Sequence, residues 1–241
     1  MRSTVPSEHA DGFAAAWPGI DAVPGWLTRD QARLLWDTVA AVSPGPARVL
    51  EVGSHRGRST CVLAAARPDV AVTAVDPFVR TRRYAGPQVR ELLEANLSVL
   101  GLADRVSVVA TTSAQARHGW DAPLDVLHVD GKHDYWTVSD DLHWAEHVVP
   151  GGTVVVHDSF SSVGVTLALL RHVLPGDHLA YRGRTGSMAR FVVTRPTRAD
   201  RWAMLRELPW WLRNVVVKVL LRARLHGVAA WLGHEGPDDP Y

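Results

Sequence analysis

An α/β fold, built on an open, mostly parallel seven-stranded sheet, is predicted by three features of this 241-residue sequence. Short β-branched runs alternate with helical patterns from residue 48 to about 194. The runs are apolar throughout instead of alternating, as strands covered on both faces are. Repeated strand–helix units call for right-handed crossovers and therefore parallel neighbours. The last two runs have no helix-length segment between them, so that end of the sheet should be antiparallel.

Taken in order, residues 1–46 form an N-terminal lead and helix, 47–195 the sheet domain and 196–241 a basic, aromatic tail. In the lead, PGWLTRDQARLLWDTVAAV reads as a capped helix with Thr28 or Asp30 near its start and Leu34, Leu35, Val39 and Val42 on one face. It should pack on the domain or cover its open edge. Strands are expected over 47–52, 70–75, 105–110, 124–129, 152–157, 178–183 and 189–194, with helices near 58–67, 87–101, 113–119, 135–149 and 162–174. In the tail, eight Lys or Arg between Arg195 and His226 face only Asp200 and Glu207, interleaved with Trp202, Trp210 and Trp211. Pro209 should end or kink the first tail helix, giving two short amphipathic helices. Such a surface suits an anionic membrane plane. The favoured reading is packing on the domain or on a second copy, with the arginines reaching to water and a homodimer as the expected form.

Composition narrows the class. Hydrophobic residues make up 46% and charged residues 21%, with a net charge of +1, so no general attraction to nucleic acid is expected. The lone cysteine, Cys61, permits no internal disulfide and reads as a small buried hydrophobe in a reducing compartment. The N-terminal stretch lacks a signal-peptide core. The longest apolar run of the tail, NVVVKVLL, is interrupted by Lys218 and falls short of the roughly 20 residues that span a bilayer. A cytoplasmic location is expected.

The first strand leads into EVGSHRGRST, where Glu51, Gly53, Ser54 and Gly57 precede Ser59 and Thr60 at the opening of a helix. Glycines in a strand-to-helix turn let a ligand approach the backbone, and the helix start offers free N–H donors. The spacing fits neither a dinucleotide fingerprint nor a P-loop. The second strand ends on Asp76, placed to take both hydroxyls of a ribose. Together these residues resemble motifs I and II of class I S-adenosylmethionine-dependent methyltransferases, over roughly 47–194. The resemblance implies the Rossmann-like methyltransferase fold and S-adenosyl-L-methionine as cofactor. Gly53 and Gly57 would frame its methionine end, with Ser54, Ser59 and Thr60 in the same turn, Glu51 beneath, and Asp76 on the ribose. Ser113, in TTSAQA, either contacts adenine or simply caps a helix.

Two later strands end on His/Asp clusters, HVDGKHDYW (128–136) and VVVHDSF (154–160). At the switch in strand order their tips should converge, bringing Asp130 and Asp158 together with His133 and His157 beside them. Two adjacent carboxylates repel unless something neutralises them, and a divalent cation does so while lowering the pKa of a bound hydroxyl. Asp130 and Asp158 are the expected ligands, with His157 or Ser159 third; Mg²⁺ suits the carboxylates, whereas an imidazole ligand shifts preference toward Mn²⁺. His133 is the expected general base. The pattern resembles metal-dependent O-methyltransferases of macrolide sugars, which have an acid where His157 stands. It is more distantly similar to catechol-type O-methyltransferases, with lysine in place of His133, and more loosely to the mycobacterial O-methyltransferase of methylmannose polysaccharide synthesis. A sugar or oligosaccharide hydroxyl is therefore the expected acceptor; the alternatives are a phenolic small molecule or a non-catalytic adaptor at a membrane surface. Loops 78–88, with Arg80, Arg82 and Arg83, and 159–165 should shape the acceptor pocket. His128 reads as a satisfied core histidine, and His143 with His147 has metal-binding spacing but no third ligand.

Overall fold

The computed structural model describes residues 7–43, 45–79, 86–234 and 236; Arg80, Arg82 and Arg83 lie outside them. Seven strands form one sheet: β1 (Ala47–Val52), β2 (Val70–Val75), β3 (Val106–Val109), β4 (Leu124–Val129), β5 (Val148–Val156), β6 (Leu179–Thr185) and β7 (Met188–Val193), in the order β3-β2-β1-β4-β5-β7-β6. The first five are parallel, and β7 runs antiparallel to both β5 and β6. The chain reverses direction across the sheet between β1 and β4, so the tips of these strands and of β5 flank one crevice.

Side-chain alternation on these strands builds two cores. Val49, Val126 and Val155 face a layer containing α2 (Arg29–Ala40), α3 (Arg58–Ala65) and α4 (Gly86–Val99). Leu50, Leu127, Val154 and Val156 face the opposite layer, which includes α6 (Tyr135–Asp141) and α7 (Val163–Ala168). Burial on both sides is what the uniformly apolar runs anticipated, each fully covered Leu or Val contributing roughly 1.5–3 kcal/mol. Cys61 is one of these core residues, and burial pushes its thiol up to about 12.

Several boundaries differ from expectation. Strand β5 starts at Val148, ahead of 152, because Val148 still pairs with Leu124 across a register shift. The helix expected to 149 stops at Asp141, and a 3₁₀ segment over Leu142–His147, with greater rise per residue, leads into that early strand. The helix expected over 162–174 changes to a π turn at Leu169–Val173. Thr28, not Asp30, caps α2 through a reciprocal pair with Gln31. A helix over Ser7–Asp21, α1, was not expected. Its apolar positions Phe13, Trp17 and Ile20 follow a helical spacing that Gly12, Pro18 and Gly19 interrupt, and Phe13 packs edge-on against Trp36.

The tail forms α8 (Arg198–Leu205), α9 (Leu208–Arg222) and an unanticipated α10 (His226–Trp231). Pro209 sits in the first turn of α9, where its missing N–H costs nothing. Glu207, between the two longer helices, accepts from the Tyr181 hydroxyl at 2.9 Å and pairs with Arg184 at 2.7 Å, tying the tail to β6. No described helix is long and apolar enough to cross a membrane.

Candidate active site

The floor of the crevice is polar and sealed. Strand register sets Glu51 beside His128, and the imidazole Nδ1 lies 3.0 Å from the Glu51 carboxylate with both side chains fully buried. The Thr60 hydroxyl donates to the other carboxylate oxygen, so Glu51 joins β1, β4 and the first turn of α3. A buried acid is costly unless its oxygens are occupied, and here both are.

Above this floor the chain turns through Gly53 and Gly57, at φ of +88° and +89°. Gly53 is constrained twice, since a Cβ there would lie 2.2 Å from the Asp130 carbonyl oxygen. The glycine turn and the loop after β4 therefore share a wall. Gly57 opens α3 without a side-chain cap, with Ser59 and Thr60 in the first turn. The Ser54 hydroxyl is buried with no hydrogen-bond partner among the described residues, an orphan that fits a polar ligand group next to the turn. Asp76 receives the N–H of His55 at 3.0 Å and of Phe78 at 2.7 Å, so its carboxylate ties the glycine turn to the tip of β2. The sequence reading missed Trp26, which is 67% exposed with its ring centroid 5.4 Å from that of His55. Arg58, which donates to the Gly25 carbonyl, brings the lead segment to the glycine turn.

Ser113 is not the cap of α5 (Ser113–Arg117): Thr112 caps that helix in a reciprocal pair with Gln115. The Ser113 hydroxyl instead accepts the Trp144 indole N–H at 2.8 Å. Next to it Asp141 is buried close to the Ser113 hydroxyl, and burial raises its carboxyl to about 6. Sequence spacing gave no signal for Asp141, because one acid in a helix looks like any solvated one.

At the tips of β4 and β5, Asp130, His133 and Asp158 come together, one potential ligand atom of each lying within 4.8 Å of the others. His133 Nδ1 is 2.9 Å from Asp158 Oδ2, and its Nε2 is 3.5 Å from Asp130 Oδ1. His157 approaches the same oxygens with Nδ1 at 3.5 Å and 3.7 Å, too long for normal hydrogen bonds. Ser159 has its hydroxyl on the Val156 carbonyl at 2.8 Å. Burial opposes protonation of His133, but the two carboxylates outweigh it and raise the imidazole to about 10. Burial likewise opposes ionisation of Asp158, and the two imidazoles reverse this, holding the carboxyl well below its usual range. Two hard oxygens and an imidazole form a donor set suited to Mg²⁺ or Mn²⁺. The His133 loop is held from behind: Ser162 donates to the His133 carbonyl at 3.2 Å, and a Cβ on Gly164 would lie 2.3 Å from that same oxygen. Among the described residues His143 and His147 join no such group: His143 Nδ1 faces the Asp140 carbonyl, and His147 lies against Trp144. A cavity of about 440 Å³ lined by His143, His172 and His178 opens near the start of β6, at the opposite end of the sheet from these strand tips.

Residues 50–159 match the methyltransferase domain family Methyltransf_24, and the seven-stranded sheet with its antiparallel last strands is that of the Rossmann-like methyltransferase fold. The chain is 34% identical over 117 residues to a ribosomal RNA small subunit methyltransferase G of a Nocardioides species, covering 46% of this chain and 43% of that protein. It thus spans less than half the length of the curated relatives it matches. Among solved structures, it resembles cofactor-bound Rv0187 from MTB at a TM-score of 0.58 and 22% identity, covering 78% of this chain and 91% of that one. It also resembles the O-methyltransferase NovP, at a TM-score of 0.57 and 20% identity over 70% and 83%. The O-methyltransferase of Bacillus cereus bound to SAH matches at a TM-score of 0.56 and 17% identity over 81% and 94%. At these identities the structural likeness speaks for the fold.

Proposed function

We propose that the protein transfers a methyl group from S-adenosylmethionine to a hydroxyl of a sugar or oligosaccharide, assisted by a divalent cation. The observation that carries this reading is the convergence of Asp130, His133 and Asp158 beside a glycine turn whose Gly53 touches the Asp130 backbone. Glu51, Gly53, Ser54, Gly57, Ser59, Thr60 and Asp76 form the cofactor side, with Ser113 toward adenine. Asp130 and Asp158 hold the cation, with His157 behind them as a further nitrogen donor. Once bound, the cation would neutralise the carboxylates and lower the pKa of an acceptor hydroxyl. His133, released from its ion pairs, would then be a neutral imidazole able to take the hydroxyl proton. Trp136, 79% exposed and three residues beyond His133, offers an aromatic face of the kind that packs on a pyranose ring. The O-methyltransferase neighbours support oxygen as the acceptor atom.

A second reading is favoured by the relatives named for ribosomal RNA, whose acceptor would be a nucleic acid. The net charge of +1 weighs against it, because phosphate contacts need clustered cations. The exposed residues Leu212, Val216 and Val219 along α9, with Trp231, suit the proposed homodimer contact or a peripheral membrane contact. The deciding experiment follows labelled methyl transfer to mono- and oligosaccharides, phenols and small-subunit ribosomal RNA, each with Mg²⁺ and with EDTA. Transfer to a saccharide that EDTA abolishes is the expected result. Transfer only to RNA or only to phenols would overturn the acceptor, and EDTA-insensitive transfer would overturn the cation.

A further inference from the structure

The turn that aims Asp158 is backbone-strained. Asp158 and Phe160 both lie in the left-handed region, at φ of +55° and +58°, where non-glycine residues are held only by their surroundings. Inside the turn, the Ser161 hydroxyl donates to Asp158 Oδ1 at 2.8 Å, which leaves Oδ2 toward His133. Two further bonds come from far along the chain. Asn214 Nδ2 donates to the Phe160 carbonyl at 3.0 Å, and Lys218 Nζ donates to the Ser161 carbonyl at 2.9 Å. Both donors belong to α9, four residues apart and hence on one helix face, with fully buried Val217 between them. Arg213 donates in turn to Asn214 Oδ1 at 2.9 Å, which fixes the amide so that its N–H₂ points at Phe160. Asn214 is completely buried, and α9 lies outside the matched residues 50–159.

We propose that α9 is a positioning element of the cation site: Asn214 and Lys218 hold the 158–161 turn so that Asp158 presents one oxygen to the ion. This rests on the cation reading above. A tail helix that only covered apolar surface would need Val217 but not two polar donors on consecutive carbonyls of one strained turn. Partners that orient a ligand are commonly worth 10–100-fold in metal affinity.

The test uses the full chain carrying Asn214→Ala, Lys218→Met or Lys218→Arg. Mn²⁺ binding is read by electron paramagnetic resonance, S-adenosylhomocysteine binding by calorimetry, and amide exchange over 158–162 by mass spectrometry. Asn214→Ala and Lys218→Met should each weaken Mn²⁺ about 10-fold and speed exchange in the turn, with S-adenosylhomocysteine affinity unchanged. Lys218→Arg, which keeps a donor, should stay near the wild type. Because Lys218 is only half-buried, its variants stay informative even if Asn214→Ala fails to fold. Wild-type Mn²⁺ affinity in Lys218→Met would overturn the proposal, as would equal losses in Lys218→Met and Lys218→Arg. Were the unsubstituted protein to bind no Mn²⁺, the cation reading would fall on its own. Exchange would then decide: unchanged protection over 158–162 overturns the hold by α9, and faster exchange sustains it.

Discussion

His133 and Asp158 form a short ion pair, 2.9 Å from Nδ1 to Oδ2, in which the acid is almost wholly buried and the imidazole is 46% exposed. The pair joins a buried anion to a half-exposed cation. Without a metal, His133 stays protonated well above neutrality, since its imidazole is raised to about 10. Binding a divalent ion at pH 8 should therefore release about one proton, because a ligand or base beside the ion must be neutral. Calorimetry in buffers of differing ionisation enthalpy measures this directly, and His133→Asn should reduce the release.

The same variant separates binding from chemistry. His133→Asn should lower methyl transfer by about 10²–10⁴-fold, the usual worth of a positioned base. S-adenosylmethionine affinity should not change, because His133 lies across the crevice from Asp76. Single-turnover rates together with cofactor titration check both halves.

Asp158→Asn should erase cation-dependent stabilisation. At a hundred times its dissociation constant, an ion that binds only the folded state adds about 2.7 kcal/mol. The wild type should melt higher with Mg²⁺ or Mn²⁺ than with EDTA, and the variant should melt identically in both. Taking the difference within each protein cancels whatever the substitution does to the metal-free fold.

Gly53→Ala should damage cofactor and cation sites together. The left-handed backbone alone costs an alanine about 1–2 kcal/mol, and the added carbon would also meet the Asp130 carbonyl. Both S-adenosylhomocysteine and Mn²⁺ titrations should weaken. Loss confined to the cofactor would refute the shared wall.

Asp141 gives a pH signature independent of the cation site. Its folded-state carboxyl is raised to about 6, so the folded protein favours the neutral form. The groups around it are Asp140, Asp134, Arg117 and the Ser113 hydroxyl. Stability should fall as pH rises from near 4, where an unfolded aspartate ionises, and level off above 6. The full cost is about 2–3 kcal/mol. Asp141→Asn should remove that slope and be the more stable protein at pH 7, as denaturant melts across pH 4–8 would show.

Strand positions were legible because they follow local rules: β1, β2 and β4 coincide with the expected ranges. So was the meeting of Asp130 with Asp158, since in open parallel sheets the strand tips on either side of the switch in strand order border one crevice. What sequence could not supply was competition between partners. Thr112 and Ser113 are both credible caps, and only the position of Trp144 decides between them. The Ser159 hydroxyl donates to the Val156 carbonyl, a partner that spacing along the chain does not reveal. The tail read as a charged amphipathic surface, yet Asn214 and Lys218 point inward, because a long-range contact leaves no mark on helical periodicity.

The contact between Gly53 and the Asp130 carbonyl bears on how such a protein can be redesigned. Loops around an acceptor are the usual targets for retargeting an enzyme, and on the proposed reading residues 130–134, which carry His133, would border it. Moving that backbone by even half an ångström would press on the turn that frames the methyl donor. On the proposed reading, acceptor preference and donor affinity would be mechanically geared to each other, and libraries that vary 130–134 should vary 53–57 with it.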